Sequence, residues 1–110
     1  MKTLPPIPGG FTTRIASREF ELVHRGGIER VTVEVGMPVN DVETMDGFDW
    51  RCPVRIIAGG EIIEDRACGC DAFQALGLAM NPLVRMRLER IARDKGAEIR
   101  LFGEAYNFEF

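Results

Sequence analysis

The chain has 110 residues, 45% of them hydrophobic and 28% charged, with a net charge of −3. That is the size and make-up of one soluble globular domain with a single core, and its mildly acidic field disfavours general nucleic-acid or anionic-membrane binding. Three cysteines are too few for a disulfide scaffold and odd in number, so a reducing cytoplasm is the expected compartment; no apolar run reaches the length of a secretory-signal core or a membrane span.

Pro5, Pro6 and Pro8, followed by Gly9-Gly10, make residues 1–14 a flexible extended arm and leave 15–110 as a single domain. Arg18 to His24 and Ile28 to Met37 then read as a hairpin through Gly26-Gly27, a pair suited to the positive φ angles of tight turns. With that turn, Leu22 opposes Val31, Phe20 opposes Val33 and Arg18 opposes Val35, while Glu19, Glu21, Thr32 and Glu34 fall on the other face. His24 then lies opposite Glu29, a carboxylate partner that accounts for the lone histidine without catalysis. Pro38 to Asp49 reads as an acidic loop. Asp41-Val42-Glu43-Thr44-Met45-Asp46 lacks the third alternate ligand of a calcium loop, and Cys52 stands where its final glutamate belongs.

A second hairpin joins Trp50 to Ala58 and Glu61 to Gly69 through Gly59-Gly60. Its register sets Ile56 against Ile63, Cys52 against Ala67 and Trp50 against Gly69, with Arg55 against Glu64 and Arg51 against Cys68 on the opposite face. Asp65 breaks the pattern by landing on the apolar face opposite Val54, where a carboxylate requires a partner or a bulge.

A helix follows, N-capped by Asp71 with Gln74 completing a capping box, and with an inward stripe of Phe73, Leu76, Met80, Val84, Leu88 and Ile91. Asn81-Pro82 interrupts it. An unbroken helix to Lys95 would be roughly 37 Å long, against about 27 Å for an eight-residue strand. A kink or fresh start at Asn81, or an overhang used in self-association, is therefore expected. Gly96 ends the helix, Glu98 to Phe102 returns as a strand, and Tyr106, Phe108 and Phe110 alternate as a further short strand or a strap over apolar surface.

The chemistry is sparse. Cys52, Cys68, Cys70 and His24 would make a zinc set by type, but the hairpin register sends Cys52 and Cys68 to opposite faces. Cys70, just before the helix, is the candidate reactive thiol, because helix N-termini lower thiol pKa values; Asp71 beside it opposes the effect. No GxGxxG or phosphate loop occurs. No catalytic, cofactor-binding or metal-binding residue is assigned. Leu83, Met86, Arg87, Arg90 and Arg93 form a mixed apolar and basic helix face, the composition of an interface, and are the candidate contact residues. Arg87 is also placed to reach Asp65 between helix and sheet.

At Asp46-Gly47-Phe48-Asp49-Trp50-Arg51-Cys52-Pro53-Val54-Arg55-Ile56 and Asp71-Ala72-Phe73-Gln74-Ala75-Leu76 the chain resembles a family of small bacterial domains of unknown function. The likeness runs from about Ile15 to Leu101. It implies no known activity and transfers no functional residue. The expected fold is α+β: an antiparallel sheet of two consecutive hairpins plus a C-terminal strand, one face covered by a long helix kinked or broken near Asn81-Pro82. The expected function is a non-catalytic protein-interaction module that binds a protein partner or itself, without membrane or nucleic acid. The alternative is a small-molecule-binding domain or thiol-dependent enzyme using the Trp50/Cys70 region.

Overall fold

The computed structural model describes Phe11 and residues 13–106. Among these residues seven antiparallel strands form one open sheet, crossed on one face by one helical arm. The strands are β1 (Arg14–His24), β2 (Gly27–Gly36), β3 (Val39–Thr44), β4 (Gly47–Ala58), β5 (Glu61–Gly69), β6 (Glu98–Leu101) and β7 (Glu104–Ala105). The arm comprises α1 (Ala72–Leu78), a π-helical turn (Ala79–Val84) and α2 (Arg85–Lys95). The proline-rich stretch before Gly10 and the positions of Phe108 and Phe110 lie outside the described residues.

The second hairpin folds in the expected register throughout, from Trp50↔Gly69 to Ala58↔Glu61. The first is displaced by two residues: Phe20, not Leu22, opposes Val31, and Arg18 opposes Val33. Its turn is Arg25-Gly26, with Gly27 (φ 130°) already paired to His24. Because side chains alternate with a period of two, a shift of two keeps every residue on its assigned face. Phe20, Leu22, Val31, Val33 and Val35 are accordingly all buried. His24 and Glu29 become diagonal neighbours, and still meet at 3.3 Å.

Residues 38–49 are not a loop. Val39–Thr44 is β3, paired to the first half of β4 through Val42↔Asp49 and Thr44↔Gly47. The second half of β4 pairs with β2, from Val35↔Val54 to Val31↔Ala58. β2 and β3 thus occupy one edge of β4 in succession, and the whole of β5 occupies the other. Cys52 and Pro53 fall at the junction, where the β2–β3 edge has no paired residue. That is where a central strand tolerates a residue without an N–H. The Cys52 thiol uses the same gap to donate to the Gly36 carbonyl at 3.5 Å.

Asp71 caps α1 by accepting from the Gln74 amide at 2.6 Å, while the Gln74 side chain accepts from Cys70 N–H at 2.7 Å, one residue short of the usual capping box. Phe73 does not face the sheet; it is 88% exposed, and Ala75 and Ala79 make the buried contact. The cause is Gly69. A Cβ there would stand 2.6 Å from the Ala75 backbone nitrogen, so α1 lies directly on the strand with small residues beneath it. At Asn81 (φ −150°, ψ 115°) the arm leaves helical geometry, with a cis Asn81-Pro82 bond inside the π-helical turn; the regular helix resumes at Arg85. Val84, Leu88 and Ala92 then bury the inner face of α2, with Ile91 half-buried beside them. Gly96 (φ 59°) terminates it, the Ala97 amide returning to the Ala92 carbonyl at 2.8 Å in the Schellman manner. Beyond β6, Tyr106 packs its ring on Phe20 at 5.1 Å between centroids, and Arg18 donates to its hydroxyl at 3.3 Å.

Candidate interaction surface

The break at Asn81 sends the helical arm diagonally across the sheet, α1 over β4 and β5 and α2 toward β6. Where α2 departs from β5 a cleft of about 510 Å³ opens. Ile62 and Ile63 of β5 and Ile91 of α2 give it apolar walls; Arg87, Arg90 and Lys95 face Glu61 and Asp94 around them. Ile62 is 60% exposed. β5 is also an edge strand, pairing among the described residues with β4 alone.

Two ion pairs hold the walls. Arg87 donates from Nε (2.9 Å) and from a terminal nitrogen (2.6 Å) to Asp65 Oδ2, and Asp65 Oδ1 accepts the Arg66 amide at 2.8 Å. The residue that violates the strand alternation therefore finds its charge on the helix, as expected from its position. At the far end Lys95 meets Glu29 Oε2 at 2.6 Å, while His24 meets Oε1. The Lys95 hydrogen bond, followed by its charge and by His24, holds the Glu29 carboxyl below its ordinary pKa.

Of the candidate contact residues, Arg87 and Arg90 line the cleft. Met86 is 61% exposed, Arg93 is exposed, and Arg90 lies 3.9 Å from Asp94. Leu83 does not belong with them. It precedes α2 in the π-helical turn and packs half-buried against the core. The residues of the cleft that sequence reasoning missed are Glu61, Ile62, Ile63, Ile91, Asp94 and Lys95; the available signal was Ile62, an isoleucine on the face opposite to the helix-covered row.

The cysteines stay apart as the register requires. Cys52 is buried, its thiol pushed up to about 11 by desolvation, whereas Cys68 and Cys70 are exposed and all three are free. Trp50 packs half-buried against the core. Among the described residues no group of three or more His, Cys, Asp or Glu side chains is placed to hold a metal ion, and no helix is long and apolar enough to cross a membrane.

On the sheet face away from the helix, Glu34 is almost fully buried between Arg55 (2.8 Å) and Arg14 (3.0 Å), and Phe11 lies 4.6 Å beneath the Arg55 guanidinium. The Arg55 hydrogen bond, with Arg14 assisting, lowers the Glu34 pKa. Arg51, also buried, bonds Asp41 at 2.7 Å. These pairs tie β3, β4, β2 and β1 together, a structural role, although Asp41 Oδ1 and Arg51 Nε are buried without a hydrogen-bond partner among the described residues.

Fold and surface together define an open-sheet α+β domain with a charged cleft beside an edge strand. The family model described as "Domain of unknown function (DUF6968)" matches residues 16–110, and the chain belongs to that family. Comparison with curated proteins gives no match, and comparison with solved structures gives none.

Proposed function

We propose that this domain is a protein-interaction module of a bacterial cytoplasm, and that its contact surface is the side formed by α2 and β5. The observation that carries the reading is the cleft itself: isoleucines inside, opposite charges at the rim, and the backbone edge of β5 beside it. An edge strand offers unpaired N–H and C=O groups to an incoming chain, and an adjacent cleft takes a side chain from it. Met86, Arg90 and Arg93 extend the surface along α2 with the apolar and arginine content that interfaces favour. The three free thiols fit a reducing compartment.

Site-specific photo-crosslinking in the native host tests this. A crosslinker at Met86 or Arg90 should capture protein, whereas one at Glu19 or Arg30, an exposed ion pair on the opposite sheet face, should not. Capture that is equal on both faces, or confined to Glu19 and Arg30, rejects the assignment.

A further inference from the structure

We infer that the partner at this surface is a second copy of the chain, joined by antiparallel pairing of β5 with β5 about a two-fold axis through Asp65. The inference rests on the interaction reading above and adds the identity and register of the partner.

The register follows from the strand sequence Glu61-Ile62-Ile63-Glu64-Asp65-Arg66-Ala67-Cys68-Gly69. An axis normal to the sheet keeps both helical arms on one side, so opposed residues must share a face. Centring on Asp65 sets Glu64 against Arg66 twice, Ile63 against Ala67 twice and Ile62 against Cys68 twice. Centring on Glu64 or on Arg66 instead sets like charges against each other. The self-opposed Asp65 is already neutralised by its own Arg87. Arg66 is available as a cross-strand partner, since its closest ion contact is the 3.9 Å approach to Asp65.

The same register explains the exposed Phe73. Gly69 is placed against the second copy's Glu61, which lines the cleft with Ile62 and Ile63. Phe73 stands in the first turn of α1, one residue before the Gln74-Ala75 backbone that lies over Gly69, and is 88% exposed. Each copy therefore brings its phenylalanine to the mouth of the other's cleft.

One bond is exchanged on association. Pro53 opposes Arg66 and sits where the far edge of β4 has no ladder partner, so the Arg66 amide turns outward, where Asp65 Oδ1 now accepts it at 2.8 Å. Pairing replaces that bond with one to the second copy's strand, which makes the association reversible.

Sedimentation velocity of the full chain over a range of concentrations tests the inference. The wild type should dimerise reversibly. Glu64→Arg should raise the dimer dissociation constant by about tenfold or more, and Phe73→Ser should weaken it as well. Glu64→Arg with Arg66→Glu should restore it, a rescue that a merely unfolded variant cannot give. A wild type that stays monomeric up to its solubility limit overturns the inference, as does a dimer indifferent to Glu64→Arg or a folded double variant that remains monomeric. A monomer that still crosslinks through Met86 and Arg90 to another protein rejects the second copy but keeps the interaction surface; loss of both rejects both.

Discussion

Replacing Arg87 with methionine tests how the cleft is held together. The substitution keeps the aliphatic stem and removes both hydrogen bonds to Asp65 Oδ2, at 2.9 and 2.6 Å, leaving that carboxylate the Arg66 amide at 2.8 Å and the Arg66 guanidinium at 3.9 Å. Asp65 stands opposite Val54, which is 1% exposed, on the face the helix covers. A fully buried pair broken in this way costs about 3–5 kcal/mol, and an exposed pair about 0–1 kcal/mol. With the Asp65 side chain 19% exposed and that of Arg87 37%, the loss should fall between, at roughly 2 kcal/mol. Asp65→Val removes the other partner with a different result. The surviving arginine can swing into water, and the valine matches Val54 and Ile63, so the cost should stay below about 1 kcal/mol. The double variant should recover most of the Arg87→Met loss. Urea titrations of all four proteins at one fixed concentration, with unchanged slopes, measure the cycle, the fixed concentration being needed because association adds to apparent stability. Additivity of the single variants within about 0.4 kcal/mol, or a costlier Asp65→Val, would refute the argument.

Gly69→Ala should lift α1 from β5, because the new Cβ meets backbone at 2.6 Å; a loss of about 1–3 kcal/mol, seen as a lower urea midpoint, is expected, and an unchanged midpoint would mean the close approach does not constrain the helix. Glu34 has a folded-state pKa below its ordinary 4.5, so its stabilisation is present above that value and is lost as pH falls through the depressed one; Glu34→Gln should lower stability at pH 7 and flatten the acid limb of the stability curve. Thiol titration near pH 8 should find Cys68 and Cys70 fast and Cys52, raised to about 11 and buried, silent until denaturant is added; a fast third thiol contradicts the packing at the β2–β3 junction.

The second hairpin was legible residue by residue because Gly59-Gly60 allows one turn and the alternation on both sides agrees with it. In the first hairpin only the faces were legible. Two registers, two residues apart, bury the same side chains, and the positive φ at Gly27 rather than at a Gly-Gly turn decides between them. β3 escaped notice because an edge strand with only Val39 and Val42 has little apolar patterning; the Asp46-Gly47 dipeptide, whose glycine opens β4 at φ 146°, was the hairpin signal to weigh. For the helix, Asn81-Pro82 announced the break. The break, however, makes the phases of α1 and α2 independent, so a single stripe drawn through both placed Phe73 inside. Asp65 was informative because it offended the strand pattern, and Arg87 was the cation within reach. The cleft depends on the diagonal path of the arm, a property of tertiary packing that no single stretch carries.

Amide hydrogen exchange of the full chain at low and high protein concentration reads the β5 edge itself and so tests its self-pairing. The outward amides of Ile62, Glu64 and Cys68, and the start of α1 around Phe73, should gain protection as concentration rises, with Arg66 exchanging its bond to Asp65 for one across the axis, while Glu19 and Arg30 on the opposite face do not change. Exchange at β5 that is independent of concentration, or protection that grows on the opposite face instead, would contradict it.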